Sequence, residues 1–150
     1  MSSEPIGKEF EQAIERVEAV IRGLGLDPAE ATIPGDASTR AYALKRGSAR
    51  VVIAVHRAPG GGTFRVLAPC VRVPAAPPAE LFRHLLELNA RELVGVAFGV
   101  FGDDVVVVAE RSVRDLDTSE VEAAIRNVGR IADRYDDALA SRFGLQRSSD

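Results

Sequence analysis

The chain has 150 residues and a mass of 16.0 kDa, which predicts a single domain with one hydrophobic core. Its 46% apolar and 27% charged residues are typical of a globular protein and exclude the disordered, collagen-like and membrane-spanning classes. A net charge of -3 and a pI near 5.5 give no electrostatic basis for binding nucleic acid or an anionic membrane.

The cysteine content and the start of the chain bear on disulfides, metal sites and compartment. Cys70 is the one cysteine, so no internal disulfide can form, and its spacing from His56 and His84 does not match a zinc finger. The first five residues contain neither the basic nor the apolar region of a secretory leader, and no apolar run is long enough to span a bilayer. The expected location is the cytoplasm.

An amphipathic helix is predicted from about Pro5 to Arg22. Gly23 and Gly25 follow it, and glycine readily adopts the positive φ angles that close helices. Apolar residues at spacings of four and three form one stripe that packs against a core: Phe10, Ile14, Val17, Ile21 and Leu24.

Three strands are predicted after a loop from Ala29 to Thr39, in which Thr32 and Ile33 could form a brief extended stretch. Gly47-Ser48 suits a two-residue type II′ hairpin turn between the first two of these strands. That turn sets two apolar pairs opposite each other, Leu44 with Val51 and Tyr42 with Ile53.

The second loop, Pro59–Gly62, sets the register of the third strand if it is taken as symmetric. The predicted pairs are then Val55 with Val66, Ile53 with Ala68, Val51 with Cys70 and His56 with Arg65. One sheet face becomes apolar throughout: Tyr42, Leu44, Val51, Ile53, Val55, Val66, Ala68 and Cys70. The opposite face is mixed, and is either partly solvated or covered by a partner: Ala43, Lys45, Val52, Ala54, His56, Arg65 and Leu67.

A second helix is predicted after the prolines at 74, 77 and 78, ending near Asn89. Its apolar residues occupy about half of its circumference, more than a two-layer core accepts: Leu81, Phe82, Leu85, Leu86 and Leu88. The helix is therefore either deeply buried or in contact with another subunit, and both alternatives stay open.

The last third of the chain predicts a hairpin and a long helix. Strands are expected over Val94–Phe101 and Val105–Val113, around a turn at Gly102-Asp103-Asp104, with the four-valine run from Val105 buried on both sides. Asp117 as N-cap, with Glu120 three residues later, starts a helix at Thr118, and Gly144 ends it. The polar tail over residues 145–150 is expected to fray.

The chemistry-bearing residues favour structural roles over catalysis. The Gly60–Thr63 segment precedes a strand, whereas a phosphate-binding loop must lead into a helix. His56 and Cys70 lie on adjacent strands but on opposite faces, so they cannot form a catalytic pair, and Cys70 is interpreted as a buried thiol. The sequence predicts no catalytic residue, no metal ligand and no cofactor site.

Two groups of charged residues on the last helix are candidates for binding. Asp133, Asp136 and Asp137 alternate with arginines and are interpreted as ion-paired residues on a wet helix face. Arg126, Arg130 and Arg134 form a basic ridge at spacings of four, for which a groove for an acidic peptide is the less favoured alternative to a solvated surface.

The order of elements resembles a known superfamily. The residues that carry the resemblance are Leu81–Asn89, with its Leu-Leu-x-Leu-Asn ending, the strand Gly95–Phe101, the segment Val105–Glu110, and Leu116-Asp117 before the final helix. In this pattern the chain is similar to the YbjN-like and type III secretion chaperone-like superfamily. The resemblance implies a small cytoplasmic α+β protein, usually a homodimer, that binds other proteins and has no catalytic residues.

The sequence thus predicts an α+β domain over residues 1–144, with two-layer α-β-β-β-α-β-β-α order and a mainly antiparallel sheet packed against helices. The leading functional hypothesis is a non-enzymatic, chaperone-like or regulatory bacterial protein that binds a protein partner, forms a homodimer, and binds neither nucleic acid nor membrane. The candidate interaction or dimer surface comprises Leu81, Phe82, Leu85, Leu86, Leu88, Val96 and Phe98. The alternative is a small-molecule-binding or enzymatic domain near the Gly-rich hairpin loop, with His56 and Arg57 at its base.

Overall fold

The computed structural model describes the backbone of residues 4–150 and the side chains of residues 7–150. The first three residues, on which part of the leader argument depends, lie outside the described range. The helices are α1 (Glu4–Gly23), α2 (Pro28–Ala31), α3 (Ala79–Arg91) and α4 (Thr118–Phe143). The strands are β1 (Thr32–Ile33), β2 (Thr39–Arg46), β3 (Ala49–Ala58), β4 (Gly61–Arg72), β5 (Ala97–Phe101) and β6 (Asp104–Ser112).

The six strands form one antiparallel sheet in the order β1-β2-β3-β4-β6-β5. This mixed α+β architecture confirms the predicted fold class. The structure adds the short helix α2 to the predicted order and confirms the brief extended stretch at Thr32 and Ile33. Asp27 caps the single turn of α2 by accepting a hydrogen bond from the Ala29 N–H, and Thr32–Ile33 then pairs with β2.

Helices α1 and α4 pack on the same face of the sheet. The predicted stripe of α1 is buried apart from Leu24, which is half-buried against the core. The apolar face of the first three strands is buried as predicted, and Phe64 joins it. Together these side chains form one continuous core between the sheet and the two helices, so the opposite face of the sheet lies outside that core.

The predicted register of the β3–β4 hairpin is wrong by two residues. Val55 lies opposite Phe64 rather than Val66, and His56 lies opposite Thr63 rather than Arg65. The reason is that Pro59-Gly60 alone makes the turn, with Gly60 at φ 82°, as a type II turn requires. Because strand side chains alternate with a period of two, this shift left the assignment of residues to the two faces unchanged.

The β2–β3 hairpin is tied to α4 through its turn. Ser48 donates a backbone hydrogen bond to Asp133 at 3.1 Å, and its hydroxyl contacts both Asp133 and Asp136. These hydrogen bonds hold the pKa of the Asp133 carboxyl below its ordinary value. Asp136 is 5% exposed, so the predicted wet face is wrong at this residue: the hairpin turn covers it.

Helix α4 begins and ends as predicted. The Asp117 side chain accepts a hydrogen bond from the Glu120 N–H at 2.9 Å, and Gly144 closes the helix in the left-handed conformation. Residues 145–150, for which the sequence predicts fraying, instead make backbone hydrogen bonds with the end of β4. The four-valine run of β6 is buried at Val105, Val106 and Val107 and half-buried at its last residue.

Gly129 sets the closest approach between α4 and the sheet. A Cβ at this buried position would lie 2.9 Å from the Cβ of Arg46 and 3.6 Å from Val51. We expect Gly129→Ala to lower the free energy of unfolding by about 1 kcal/mol, because an overpacking cost of about 1–3 kcal/mol exceeds the helix-propensity gain of about 1 kcal/mol. Urea denaturation measures this change.

The matched control is Gly7→Ala in α1, where a Cβ has nothing within 4 Å. There we expect unchanged or increased stability, because the propensity gain acts without a steric cost. Equal stabilisation of the protein by both substitutions would contradict the close packing at Gly129.

Candidate protein-interaction surface

Helix α3 lies beside β5 at one end of the sheet and buries a single stripe. Leu81, Leu85 and Leu88 follow one another at spacings of four and three and join the core. Phe82 is half-buried, and Leu86 projects away from the sheet with 67% of its surface exposed. The apolar residues of this helix are therefore of three kinds: a buried stripe, the half-buried Phe82 and the exposed Leu86.

Asn89 fixes this helix to the edge strand. Its side-chain amide donates to the Phe98 carbonyl oxygen at 3.1 Å and accepts from the Phe98 N–H at 2.7 Å. Both backbone groups of Phe98 therefore point away from β6, towards the helix. The Asn89 side chain thus takes the place that a neighbouring strand would occupy on this residue.

Aromatic contacts hold α3 and β5 against α4. The Phe98 and Tyr135 rings meet edge to face with centroids 5.5 Å apart. The Tyr135 hydroxyl donates to Glu92, just after α3, at 3.0 Å, and partial burial and that carboxylate raise the pKa of Tyr135. His84 lies 5.7 Å from the Phe143 ring in the last turn of α4, so α3 also contacts the end of α4.

The exposed apolar residues concentrate at this end of the sheet. Among the described side chains, five large apolar residues are exposed, and four of them belong to the segment from α3 to β5. These four define what we call the α3–β5 surface: Leu86 (67%), Val94 (88%), Val100 (54%) and Phe101 (64%). The fifth, Leu26, lies after α1 and is 41% exposed.

The α3–β5 surface differs in membership from the candidate set that the sequence supplied. Leu81, Leu85, Leu88 and Phe98 are buried within this chain, and Phe82 and Val96 are half-buried, so Leu86 is the residue common to both. Val100 and Phe101 were missed because their exposure depends on β5 being the edge strand, and Val94 was missed because it lies in the connection before β5 and not in the strand predicted from Val94. The absence of any charge or proline from Ala97 to Phe101 was the available signal.

The outer edge of β5 remains open beyond Asn89. In an antiparallel ladder, alternate residues direct their backbone groups to opposite sides of the strand. Because Phe98 points outwards, Val100 also points outwards, and its N–H and carbonyl face away from β6. The edge is therefore covered at Phe98 and available for main-chain pairing at Val100, the next residue that faces outwards.

A second apolar feature crosses the uncovered face of the sheet. Directly opposed residues on five strands form a continuous row, which we call the outer row: Ala43, Val52, Leu67, Val108 and Ala97. All five are half-buried by their neighbours within the sheet. Beside this row Arg65 pairs with Glu110, so the face has an apolar centre with a charged border.

The residues at the base of the Gly-rich hairpin make contacts with other side chains of this chain. The His56 ring contacts the Thr39 hydroxyl at 2.8 Å, and the Arg57 guanidinium stacks 4.8 Å from the Phe10 ring centroid. Cys70 is buried on the opposite face from His56, as predicted, and donates to the Ala132 carbonyl oxygen. Burial and the nearby Asp136 raise the pKa of the Cys70 thiol to about 12.

The basic ridge of α4 is split in the structure. Arg126 and Arg130 line a shallow cavity of about 200 Å³ together with Arg46, while Arg134 lies 5.3 Å from the Tyr135 ring. Arg126 also contacts Glu122 at 3.5 Å. Within residues 7–150, no three His, Cys, Asp or Glu side chains gather as metal ligands, and no described helix is long and apolar enough to cross a membrane.

Comparison with known proteins agrees with the predicted resemblance. The family model "YbjN: Putative bacterial sensory transduction regulator" matches residues 13–141, whereas no curated protein matches the sequence. One chain of the crystal structure of the ExsC-ExsE complex superposes with a TM-score of 0.64 at 16% identity, covering 86% of this chain and 94% of that chain.

A chain of the heterodimeric ExoU-SpcU complex from the type III secretion system of Pseudomonas aeruginosa is also similar. It superposes with a TM-score of 0.54 at 17% identity, covering 81% of this chain and 95% of that chain. At such identities the similarity concerns the fold. The resemblance to YbjN-like and type III secretion chaperone-like folds is confirmed.

The Asn89 contacts give a direct test of how α3 is attached. We expect Asn89→Ala to lower the free energy of unfolding by about 1–3 kcal/mol, because it leaves the Phe98 N–H and carbonyl without their partner. Hydrogen exchange at the Phe98 amide should accelerate in the same variant. Arg91→Ala, at an exposed position of the same helix, is the control and should change stability by less than about 0.5 kcal/mol.

Proposed function

The chain belongs to the YbjN family, and we propose that it is a non-enzymatic, protein-binding domain of the chaperone-like or regulatory type. The observation that carries the proposal is the concentration of exposed apolar residues on the α3–β5 surface. Four large apolar side chains exposed within one short segment favour a surface that another molecule covers. The similarity of its fold to proteins crystallised in complexes with partners supports the same class of function.

The proposal assigns separate roles to the two apolar features. The α3–β5 surface forms a homodimer through its β5 edge, in which β5 of one protomer lies beside β5 of its partner. Val100 and Phe101 project from opposite faces of the strand, so each packs beside the partner strand on its own face, and Leu86 packs on the partner from the adjoining helix. The open edge at Val100 allows main-chain hydrogen bonds across this interface. The outer row then remains uncovered and holds a segment of a different protein.

The outer row suits an extended polypeptide more than a compact ligand. It runs across five strands, whereas small-molecule sites are concave and enclose most of their ligand. Its charged border, with Arg65 and Glu110, would keep the partner in register. The proposed compartment is the cytoplasm, where a protein of the secretion-chaperone-like type meets its partner.

The dimer is tested with an exposed residue and not with one from the buried stripe. We expect the wild-type protein to sediment as a dimer, and Leu86→Asp to sediment as a monomer that keeps the wild-type circular dichroism spectrum, because the substitution places a charge in the interface and not in the core. Leu26→Asp, at the other exposed leucine, should stay dimeric. A wild-type protein that is monomeric at all concentrations would contradict the proposed interface.

Partner binding is tested on the outer row. We expect Leu67→Lys to reduce recovery of a co-purifying protein from the native cell by about tenfold or more, because a charge in the centre of an apolar interface disfavours binding by at least about 1.4 kcal/mol. Leu26→Lys is the matched control and should recover the partner as the wild type does. Equal recovery by both folded variants would place the partner elsewhere.

A further inference from the structure

The last six residues of the chain lie beside the end of β4. The β3–β4 pairing ends in this direction at Val52 and Leu67, so the far end of β4 has no strand on that side. The tail takes this position: Ser148 N–H donates to the Cys70 carbonyl at 3.1 Å, and Arg72 N–H donates to the Gln146 carbonyl at 2.8 Å. A short antiparallel bridge thereby joins the tail to the sheet.

Side chains of the tail also bond to the elements on either side of this bridge. The Ser148 hydroxyl donates to Asp104 of β6 at 2.6 Å, and Arg147 donates to Asp137 of α4 at 2.8 Å. Leu145 packs against the core. The tail therefore makes the contacts that an extended bound peptide would make, with backbone pairing on β4 and one side-chain contact to each neighbouring element.

The attachment is easily reversible. Beyond the packing of Leu145, it consists of two backbone hydrogen bonds, one hydroxyl bond and one ion pair on a solvent-exposed surface, which contribute little individually. Gly144, in the left-handed conformation, connects the tail to α4. The tail also lies beyond residues 13–141, which the family model matches, so its contacts are a feature of this chain rather than of the matched region.

We propose that the end of β4 is a binding site for an extended peptide segment, which the chain's own tail fills until a partner displaces it. The partner segment would carry an arginine followed by serine or threonine, so that it reproduces the contacts with Asp137 and Asp104. This inference rests on the proposed function to the extent that the partner is a protein, but it uses different residues from the α3–β5 surface and the outer row.

Displacement of the tail has a measurable consequence at Cys70. A cavity of about 310 Å³ is bordered by the tail, and its lining includes Cys70, Asp136 and Ser148. Cys70 is 2% exposed while the tail is docked. Because it is the one cysteine of the chain, its rate of alkylation reports how often the tail opens.

The test uses the full chain with its tail released. Arg147→Ala combined with Ser148→Pro removes the contact with Asp137, the hydroxyl bond to Asp104 and the N–H that bonds Cys70. We expect Cys70 alkylation to accelerate by about tenfold or more in this variant. Ser149→Ala is the control: it leaves the Ser148 N–H and hydroxyl in place and should alkylate at the wild-type rate.

Peptide binding is then measured by fluorescence anisotropy with a labelled peptide of residues 143–150. The released-tail variant should bind it, the wild type should not, and a peptide with alanine in place of Arg147 and Ser148 should bind about tenfold more weakly. Circular dichroism confirms that the variant is folded. Failure of the folded variant to bind the peptide overturns the proposal, as does unchanged Cys70 alkylation.

Two further measurements complete the test. The first uses the wild type and not the released-tail variant, and the second separates peptide binding from the proposed function. In the wild type, the Arg72 amide should exchange faster than the Val66 amide in the middle of the same strand, and equal protection overturns displacement of the tail. Adding Leu86→Asp to the released-tail variant should leave peptide binding unchanged. A protein that binds the peptide but neither dimerises nor recovers a partner would contradict the proposed function alone.

Discussion

Packing of α1 and α4 on the same face of the sheet is the constraint on which the rest of this structure depends. Both helices bury their apolar stripes against one continuous core, and Gly129 lets α4 approach the β2–β3 hairpin closely. A sheet covered on one side has a second face that must be solvated or covered by another molecule. The apolar outer row lies on that face, so the fold itself creates a surface suited to a partner.

The same constraint explains the arrangement at β5. This strand is at the sheet edge, where unpaired backbone groups invite pairing with another chain. Asn89 closes the edge at Phe98, while Val100 and its exposed apolar neighbours leave it open one step further along. Selective covering of an edge directs which pairing can occur, and here the open part coincides with the α3–β5 surface. The tail performs a comparable role at the end of β4, where it occupies a position that β3 leaves vacant.

The failures of sequence reasoning have a common physical cause. The β3–β4 register was wrong by two residues because a Pro-Gly turn within a Gly-rich stretch can form at more than one position. Asp136 was placed on a wet face because helical periodicity does not reveal that a hairpin turn lies over that residue. The tail was expected to fray because its docking depends on the β3–β4 pairing stopping at Val52 and Leu67 although both strands continue. Each error concerns which segments meet in space, which local patterns do not specify.

The sequence by itself determined the longer secondary elements, their order, the apolar face of the sheet and the limits of α4. These follow from local rules, because side-chain periodicity and capping residues act within a few positions along the chain. Tertiary structure alone decided which apolar residues of α3 and β5 are exposed, how Asn89 covers the edge, and where the tail binds. Those outcomes depend on strand order and on where the pairing of two strands stops, which are set by contacts between residues far apart in the sequence.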